Sequence, residues 1–191
     1  MEKLAEKKKA ILNSTLKLIK EKGFHGTPMS LVAKKAGVAA GTIYHYFDSK
    51  DALILELYTY TTNLVLEAML RDNREDMDYK DQFFSRWISR CKFYIANPDA
   101  LFFIEQFVNS PYHSQCTQEQ NECFQNEVVQ FIDRGIETGV LRKMDRRLMG
   151  IMIHSNILIA AKIHLAGKVT LGETEMQQLA LMAWDSVRQN H

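Results

Sequence analysis

The stretch "AGVAAGTIYHYFDSKDAL", residues 36–53, decides the fold. It begins with alanine and glycine, continues with four bulky rings at residues 44–47, and ends with a charged segment at residues 48–50. Small residues allow a backbone to approach a partner closely, because no side chain stands between them. The pattern therefore indicates a short helix that presents its smallest residues to another surface and anchors itself through its rings.

Helical periodicity continues on the N-terminal side of this stretch. Residues 6–22 place apolar side chains on one helix face, and Gly23 is predicted to end that helix. Thr27 is predicted to cap a second helix that has Pro28 at its first position, where the missing N–H costs nothing. Gly37 is predicted to end this second helix.

The third helix is predicted to start near residues 39–40 and to run to Phe47, and Asp48 or Ser49 to cap a fourth that reaches Asp72. Five further helices are expected at residues 79–96, 98–109, 115–138, 146–166 and 173–188. Two short helices joined by a tight glycine turn have the dimensions of a helix-turn-helix. The sequence therefore predicts an all-α chain with an N-terminal three-helix DNA-binding domain at residues 4–60 and a second helical domain at residues 61–191.

Charge is distributed unevenly along the chain. Residues 1–50 carry ten lysines and four acidic residues, whereas residues 51–191 carry fourteen basic and nineteen acidic residues, and the net charge is +1. A basic head on an acidic body suggests that one end meets a polyanion. A solvated, lysine-rich first helix explains the same numbers equally well, so charge alone does not decide between them.

Residues 11–53, "ILNSTLKLIKEKGFHGTPMSLVAKKAGVAAGTIYHYFDSKDAL", resemble the DNA-binding domain of TetR/AcrR-type transcriptional regulators. The resemblance lies in the Gly-aromatic end of the first helix, the Thr before the second, the "AGV" turn, "GTIYHYF" and the restart "SKDAL". It implies a homodimeric repressor that binds a palindromic operator in double-stranded DNA, and the absence of a signal-peptide pattern predicts that the protein is cytoplasmic. A small molecule bound by the C-terminal domain would release that DNA. Two alternatives stay open: a DNA-binding head on a protein-interaction module without an effector, and a plain three-helix bundle whose rings simply pack.

The expected DNA contacts follow from this geometry and from the resemblance. Ile43 and Phe47 share a face that can pack on the second helix, which turns Thr42 and His45 outward. The predicted DNA-binding residues are Thr27, Ala39, Ala40, Gly41, Thr42, Tyr44, His45 and Lys50. The family often carries Ser and a basic residue where this chain has two alanines, so base readout is expected to depend on Gly41, Thr42 and the backbone. A second hydroxyl is common where Pro28 stands, so one phosphate contact is expected to be missing.

Aromatic residues are frequent between residues 79 and 138. In the family that this chain resembles, the equivalent region surrounds the effector pocket, which implies an apolar or amphipathic ligand. The candidate effector-binding residues are Trp87, Tyr94, Phe103 and Phe107. Each of these rings can equally belong to the core.

The last two predicted helices carry wide apolar stripes at helical spacing. The resemblance implies that they meet their symmetry mates in a four-helix interface. The candidate interface residues are Met152, Asn156, Ala160, Leu179, Ala183 and Trp184. Packing within the chain is the alternative for both stripes.

Several other functions lack support in the sequence. The apolar run at residues 148–161 is about 14 residues long and contains polar residues, so it is interpreted as a buried helix rather than a membrane span. No signal peptide is expected.

Three cysteines without paired spacing fit a reducing cytosol. His113, Cys116 and Cys123 lie close together but lack a fourth ligand, so neither a metal nor another cofactor is predicted. Motifs of phosphate loops, serine hydrolases and zinc proteases are absent, which argues against an enzyme.

Overall fold

The computed structural model of the chain describes residues 2–74, 76–116 and 118–189, and the side chains of residues 2–4 and 118–125 lie outside that description. The helices within these ranges are α1 (Glu2–Lys22), α2 (Met29–Lys35), α3 (Ala40–Ile43), α4 (Lys50–Leu70), α5 (Tyr79–Ala96), α6 (Pro98–Val108), a 3₁₀ turn (His113–Gln115), α7 (Gln118–Glu137), α8 (Arg146–Leu165) and α9 (Glu173–Val187). An isolated antiparallel bridge joins Leu141 to Arg188. The predicted all-α fold is confirmed.

The turn between α2 and α3 is closed by two backbone hydrogen bonds. The N–H of Val38 donates to the carbonyl of Ala33 at 3.0 Å, and the N–H of Gly37 donates to that of Lys34 at 3.3 Å. This pattern requires a left-handed residue, and Gly37 has a φ of 67°. A side chain would be strained there, so glycine makes the sharp change of direction between the two helices possible.

The start of α2 differs from the sequence prediction. Pro28, with extended backbone, is the residue that precedes the helix, and Thr27 lies one position earlier. The Thr27 hydroxyl donates instead to the carbonyl of Gly23 at 2.8 Å, and its residue is 3% exposed. Carbonyls at the end of α1 have no helical partner, which explains why this hydroxyl stays with α1 rather than capping α2.

The third helix is also shorter than predicted. Regular α-helix covers Ala40–Ile43, and turns continue the chain to residue 46. The N–H of Phe47 still donates to the carbonyl of Ile43 at 3.0 Å, so the two buried residues keep their helical relation. The predicted cap of α4 is confirmed, because the Ser49 hydroxyl accepts from the N–H of Ala52 at 3.1 Å.

The described helices form two compact units. The first contains Met1–Thr62 together with Asp99–Asn121, and the second contains Asn63–Pro98 together with Glu122–His191. Helix α4 thus contributes to both units, and α6 belongs with the helix-turn-helix although α5 and α7 lie mainly in the second unit.

Helix α6 packs into the core of the first unit through aromatic rings. The Tyr58 and Phe107 rings stack with centroids 4.2 Å apart, and the Phe24 ring meets Phe103 edge-on at 6.2 Å. The Lys20 ammonium also forms an ion pair with Asp99 at 2.7 Å. The core of the DNA-binding head is therefore completed by a helix from much later in the chain.

Helix α5 organises the second unit by packing on both α8 and α9. The Trp184 ring of α9 lies edge-on to Phe83 with centroids 5.4 Å apart and beside Tyr79 at 6.3 Å. The inward face of α9 is formed by five buried residues, Met176, Ala180, Ala183, Trp184 and Val187. This face is thereby covered within the unit itself.

Candidate nucleic-acid interface and effector cavity

The segment from residue 39 to residue 46 has one anchored face and one open face. Ile43 is fully buried and Phe47 is 4% exposed, both in the cluster that contains Val32. The open face contains Ala39, Ala40, Gly41, the half-buried Thr42, Tyr44 and His45. Tyr44 is 56% exposed, so its ring and its hydroxyl are both accessible to a partner. Six of the eight predicted DNA-binding residues are therefore exposed or half-buried within this one segment.

Gly41 is not required by packing within the chain. A Cβ atom built there would meet no atom within 4 Å, and φ is not positive. The protein itself therefore leaves room for a side chain that the sequence omits. Such an omission is expected where another backbone or a base edge must approach closely.

Thr27 and Lys50 are engaged inside the first unit. The Thr27 hydroxyl is buried against Gly23, as described above, and the Lys50 ammonium donates to the carbonyl of Phe24. Lys50 is half-buried and has further N–H donors for a phosphate, whereas the Thr27 side chain has little access to one. Sequence periodicity does not reveal either bond, because the Thr27–Gly23 bond lies in the turn between α1 and α2 and Lys50 reaches a carbonyl 26 residues away in the chain.

Basic side chains occur on the two helices that precede the open face in the chain. Lys34 and Lys35 are exposed in the last turn of α2, immediately before the Gly37 turn. Lys35 is paired with Glu21 at 2.8 Å, and Lys8 is paired with Glu56 at 2.7 Å. Exposed pairs of this kind contribute little to stability, so their lysines can exchange a carboxylate for a phosphate at low cost.

Two family models together match nearly the whole chain. "Bacterial regulatory proteins, tetR family" matches residues 11–57, and "Tetracyclin repressor-like, C-terminal domain" matches residues 58–189. The chain belongs to the TetR family. It is thus a member of a family of DNA-binding transcription regulators, and the resemblance seen in residues 11–53 is confirmed.

Known regulator proteins resemble this chain over most of its length. The fatty acid metabolism regulator protein of Bacillus subtilis is 28% identical over 151 residues, which are 77% of each chain. A TetR-family regulator from Marinobacter aquaeolei superposes with a TM-score of 0.91 at 22% identity over 99% of both chains. FadR of Bacillus subtilis, solved in complex with stearoyl-CoA, superposes with a TM-score of 0.66 at 21% identity, covering 92% of this chain and 95% of that one. Both superpositions show the shared fold.

The second unit contains a small, mainly apolar cavity of about 50 Å³. Phe83, Trp87, Phe131 and Ile157 contribute to its wall. The Trp87 indole N–H donates to the side-chain oxygen of Asn156 at 3.2 Å, which fixes the ring. Ligand sites usually measure roughly 300–1,000 Å³, so this cavity is much smaller than an occupied pocket.

Two arginines of α5 lie in the same wall, one helical turn apart. Arg86 is 8% exposed and Arg90 is 5% exposed. Arg86 pairs through Nη2 with Glu127 at 2.7 Å, and its guanidinium carbon lies 4.3 Å from the centre of the Phe131 ring. Buried guanidinium groups are rare in protein cores, because desolvation of a charge is costly.

Arg90 is bonded to a histidine of α8. Its Nη2 donates to Nδ1 of His154. Because a guanidinium has no acceptor, Nδ1 must be the unprotonated nitrogen, which puts the ring proton on Nε2. Burial, together with the positive charge of Arg90, lowers the pKa of His154 to about 3. The imidazole is therefore neutral at physiological pH.

Of the four candidate effector-binding residues, Trp87 lies in the cavity wall. Tyr94 is 1% exposed on α5 but does not line this cavity, and Phe103 and Phe107 lie in the core of the first unit. The structure therefore does not bring the four together. Apolar spacing shows that a helix face is buried, but it does not show in which core. Arg86 and Arg90 were missed, since arginine is ordinarily a surface residue.

The candidate interface residues also separate into buried and exposed groups. Met152 is 59% exposed, whereas Ala160, Ala183 and Trp184 are each less than 9% exposed within their own unit. Asn156 and Leu179 are half-buried. The stripe selected on α9 is thus largely its inward face, because α5 covers the most regular apolar stripe of that helix.

A different set of apolar side chains is exposed on α8 and α9. Its members are Leu148, Ile151, Met152, Ile159 and Ile163 on α8, with Leu181 and Met182 on α9. We call these residues the outer apolar face. On α8 their spacings of three, four and eight residues place them on one side of the helix. This second apolar stripe is the sequence signal that could have revealed them.

Helix α8 is not the buried helix that the sequence suggested. Within the described part of the chain it is the helix long and apolar enough to cross a membrane by length and composition, and only 22% of its most apolar window is buried. Arg146 and Arg147 lie at its start and Lys162 near its end. Its apolar character is explained by two faces, one packed on α5 and one in the outer apolar face.

The suggested cluster of His113, Cys116 and Cys123 falls partly outside the described residues, because the side chain of Cys123 is not described. His113 is exposed and Cys116 is half-buried. Burial raises the pKa of the Cys116 thiol, so the reactive thiolate is disfavoured. No group of three or more potential metal ligands occurs among the side chains that are described.

Proposed function

We propose that this TetR-family protein is a cytoplasmic transcriptional repressor without enzymatic activity. It binds a palindromic operator as a homodimer and is released by a small apolar or amphipathic effector. Its DNA-binding domain covers residues 4–60, and its effector-binding and dimerisation domain covers residues 61–191. The observation that carries the proposal is the open face around Gly41, where small residues and exposed rings lie on a firmly anchored segment.

The open face would enter the major groove of DNA. Gly41 and Thr42 are placed to approach base edges, while Tyr44 and His45 offer donors to phosphates. Two alanines supply no hydrogen bonds to bases, so much of the specificity would come from DNA shape. In a dimer, two such faces would meet successive major grooves about 34 Å apart.

Tyr44 provides the test of this interface. Replacing Tyr44 with Ala should weaken binding to an operator selected from random duplex DNA by the wild-type protein, and Tyr44→Phe should show how much depends on the hydroxyl. Tyr60→Phe is the matched control, because Tyr60 donates to Asn13 on another part of the same unit. Equal affinity of Tyr44→Ala and the wild type across a salt series would contradict the proposal.

The outer apolar face supports dimerisation. Large apolar side chains that recur along two neighbouring helices are costly to leave in water, and a second copy presents the same surface by symmetry. A shallow groove of about 320 Å³ between α8 and α9, lined in part by Ile159 and Met182, offers room for side chains of the partner. We therefore assign the interface to this face rather than to Ala183 and Trp184.

Effector control would depend on the position of α6 in the chain. Helix α6 follows α5 directly and is anchored to the head by Phe103, Phe107 and Asp99. A ligand that moves α5 would thus change the position of an element belonging to the DNA-binding unit. Release of DNA requires that the ligand bind the two states with different affinity.

The effector-free alternative is favoured by one observation, the small volume of the cavity. A body that only binds another protein needs no larger pocket. The relatives favour an effector instead: one is a regulator of fatty acid metabolism, and FadR was solved with stearoyl-CoA. Thermal-shift screening of metabolites and lipids, followed by operator release, decides between the two. Small molecules that stabilise the protein and release it from the operator support control by an effector. A protein partner that stabilises it and releases the operator supports the alternative.

A further inference from the structure

Arg86 combines burial with incomplete hydrogen bonding. Its Nη2 is bonded to Glu127, but Nε and Nη1 are buried and have no hydrogen-bond partner among the described residues. The side chain contributes to the wall of the cavity in the second unit. A guanidinium presents five N–H donors, so much of its capacity is unused here.

Unused donors on a buried charge are costly. A buried N–H without an acceptor loses its hydration and receives nothing in return, and the penalty is larger on a charged group. Stacking on Phe131 offsets part of this cost through a cation–π contact, but a ring face does not accept in-plane N–H groups. Unsatisfied groups of this kind are uncommon in folded proteins, and one that lines a cavity can be satisfied by an acceptor that binds there.

We propose that Arg86 binds the anionic head group of the effector, and that the apolar wall of the same cavity holds its hydrocarbon tail. This inference rests on the proposed effector-binding function and specifies its ligand class. Carboxylate and phosphate share the required chemistry, since each accepts two parallel N–H bonds from an arginine. The ligand is thus an anionic amphiphile.

The charges around Arg86 favour an anion over a neutral or cationic head group, because the two guanidinium groups in this wall outnumber the one carboxylate paired with Arg86, that of Glu127. Arg90 adds a second positive charge one helical turn away, and the neutral His154 already accepts a bond from it. Phe83, Trp87 and Ile157 provide apolar contacts suited to a tail. The ligand must enlarge the cavity from about 50 Å³, which couples its binding to a change in the packing around α5.

The experiment compares ligands that differ only in the head group. Dodecanoate, dodecyl phosphate and 1-dodecanol are titrated into the full-length protein by calorimetry, and lauroyl-CoA is a fourth probe that separates free acids from thioesters. We expect at least one anionic probe to bind about tenfold or more tightly than 1-dodecanol, because a charge-assisted hydrogen bond in a buried site raises affinity by about that factor. Stronger binding of lauroyl-CoA than of dodecanoate that is lost in Arg86→Met would assign the anion to a phosphate of the conjugate.

Two variants test the residue itself. Arg86→Met keeps an apolar side chain of similar length beside Phe131 but removes the charge, so the preference for anions should disappear. Arg134→Met is the matched control, because Arg134 also lies over the Phe131 ring but is exposed and does not line the cavity. Arg86→Lys keeps the positive charge but loses the planar pair of N–H donors, so it should retain part of the preference for anions.

Three results would overturn the inference: the wild type binds none of the probes, it binds the alcohol as tightly as the anions, or Arg86→Met keeps the preference. Operator binding by the ligand-free protein separates this failure from failure of the proposed function. Intact operator binding with no anion preference refutes the role of Arg86 alone. Loss of operator binding in the wild type refutes the repressor itself.

Discussion

Acid should destabilise this protein through His154, and the effect can be calculated. Burial and the neighbouring Arg90 lower the pKa of His154 to about 3, whereas an unfolded histidine titrates near 6.5. Between these values the unfolded state takes up a proton that the folded state does not bind. Stability contributed by the neutral ring is therefore fully present near and above pH 7, and it is lost as the pH falls below about 6.5.

The magnitude follows from proton linkage. Each pH unit below 6.5 costs about 1.4 kcal/mol until the folded pKa is reached. Lowering the pH from 7 to 5 should thus reduce the free energy of unfolding by up to about 2 kcal/mol through this residue. This value is an upper limit, because the ring keeps some contact with solvent. For a chain of this size that corresponds to a decrease in Tm of roughly 4–8 °C.

The assay compares urea unfolding at pH 7 and pH 5 for the wild type and His154→Asn, at one protein concentration because association would add to the apparent stability. Asparagine places its side-chain oxygen near the position of Nδ1, so Arg90 keeps an acceptor while the titrating ring is removed. His25→Asn, which removes an exposed imidazole, controls for the substitution itself.

The prediction concerns the change in the free energy of unfolding between pH 7 and pH 5, compared between the two proteins. Other groups also titrate in this range, and the substitution itself lowers stability at both pH values. His154→Asn should lose up to about 2 kcal/mol less than the wild type on going from pH 7 to pH 5. If both proteins lose the same amount, His154 is not held neutral by its surroundings, and the reasoning about the Arg90–His154 bond is wrong.

Three further predictions concern the other sites. Gly41→Leu should leave Tm nearly unchanged, because the chain has space there, yet weaken operator binding by about tenfold or more in fluorescence anisotropy; unchanged affinity would argue against close approach to DNA. The double variant Ile151→Glu/Met182→Glu should be monomeric in sedimentation velocity at concentrations where the wild type is dimeric, because it places charges in the outer apolar face; a persisting dimer would move the interface elsewhere. Phe107→Ala should cost about 3–5 kcal/mol in urea unfolding, because it removes a fully buried ring stacked on Tyr58; a loss below about 1 kcal/mol would show that α6 is not part of the core of the head.

Local features of the fold were well predicted from the sequence. Gly37 and Ser49 each specify a backbone arrangement through their own chemistry, one by tolerating a left-handed φ and the other by capping a helix. Part of the open face followed in the same way, since a helical period places Ile43 and Phe47 on one side and turns Thr42 and His45 away from it. Thr27 was assigned less well, because its hydroxyl can either accept a hydrogen bond from an N–H of α2 or donate one to a carbonyl at the end of α1. The local sequence does not show which of the two is preferred.

The partners of the longer helices could not be predicted in this way. The apolar stripe of α9 indicated burial but not whether α5 or a second copy covers it, and Trp184 proved to face its own unit. Phe103 and Phe107 were likewise interpreted as pocket residues although they complete the core of the head. Arg86 shows the same limitation for polar residues, since its charge suggests the surface and its position puts it in a cavity wall.

The sequence by itself determined the helices, the turn at Gly37 and the family, because each depends on residues close together in the chain. Only the tertiary structure decided which faces meet. It placed α6 in the DNA-binding unit, turned one face of α8 outward and buried two guanidinium groups beside an apolar cavity. The physical reason is that hydrophobic burial is non-directional, so an apolar face can be covered by many partners, and only the packing of the whole chain selects one.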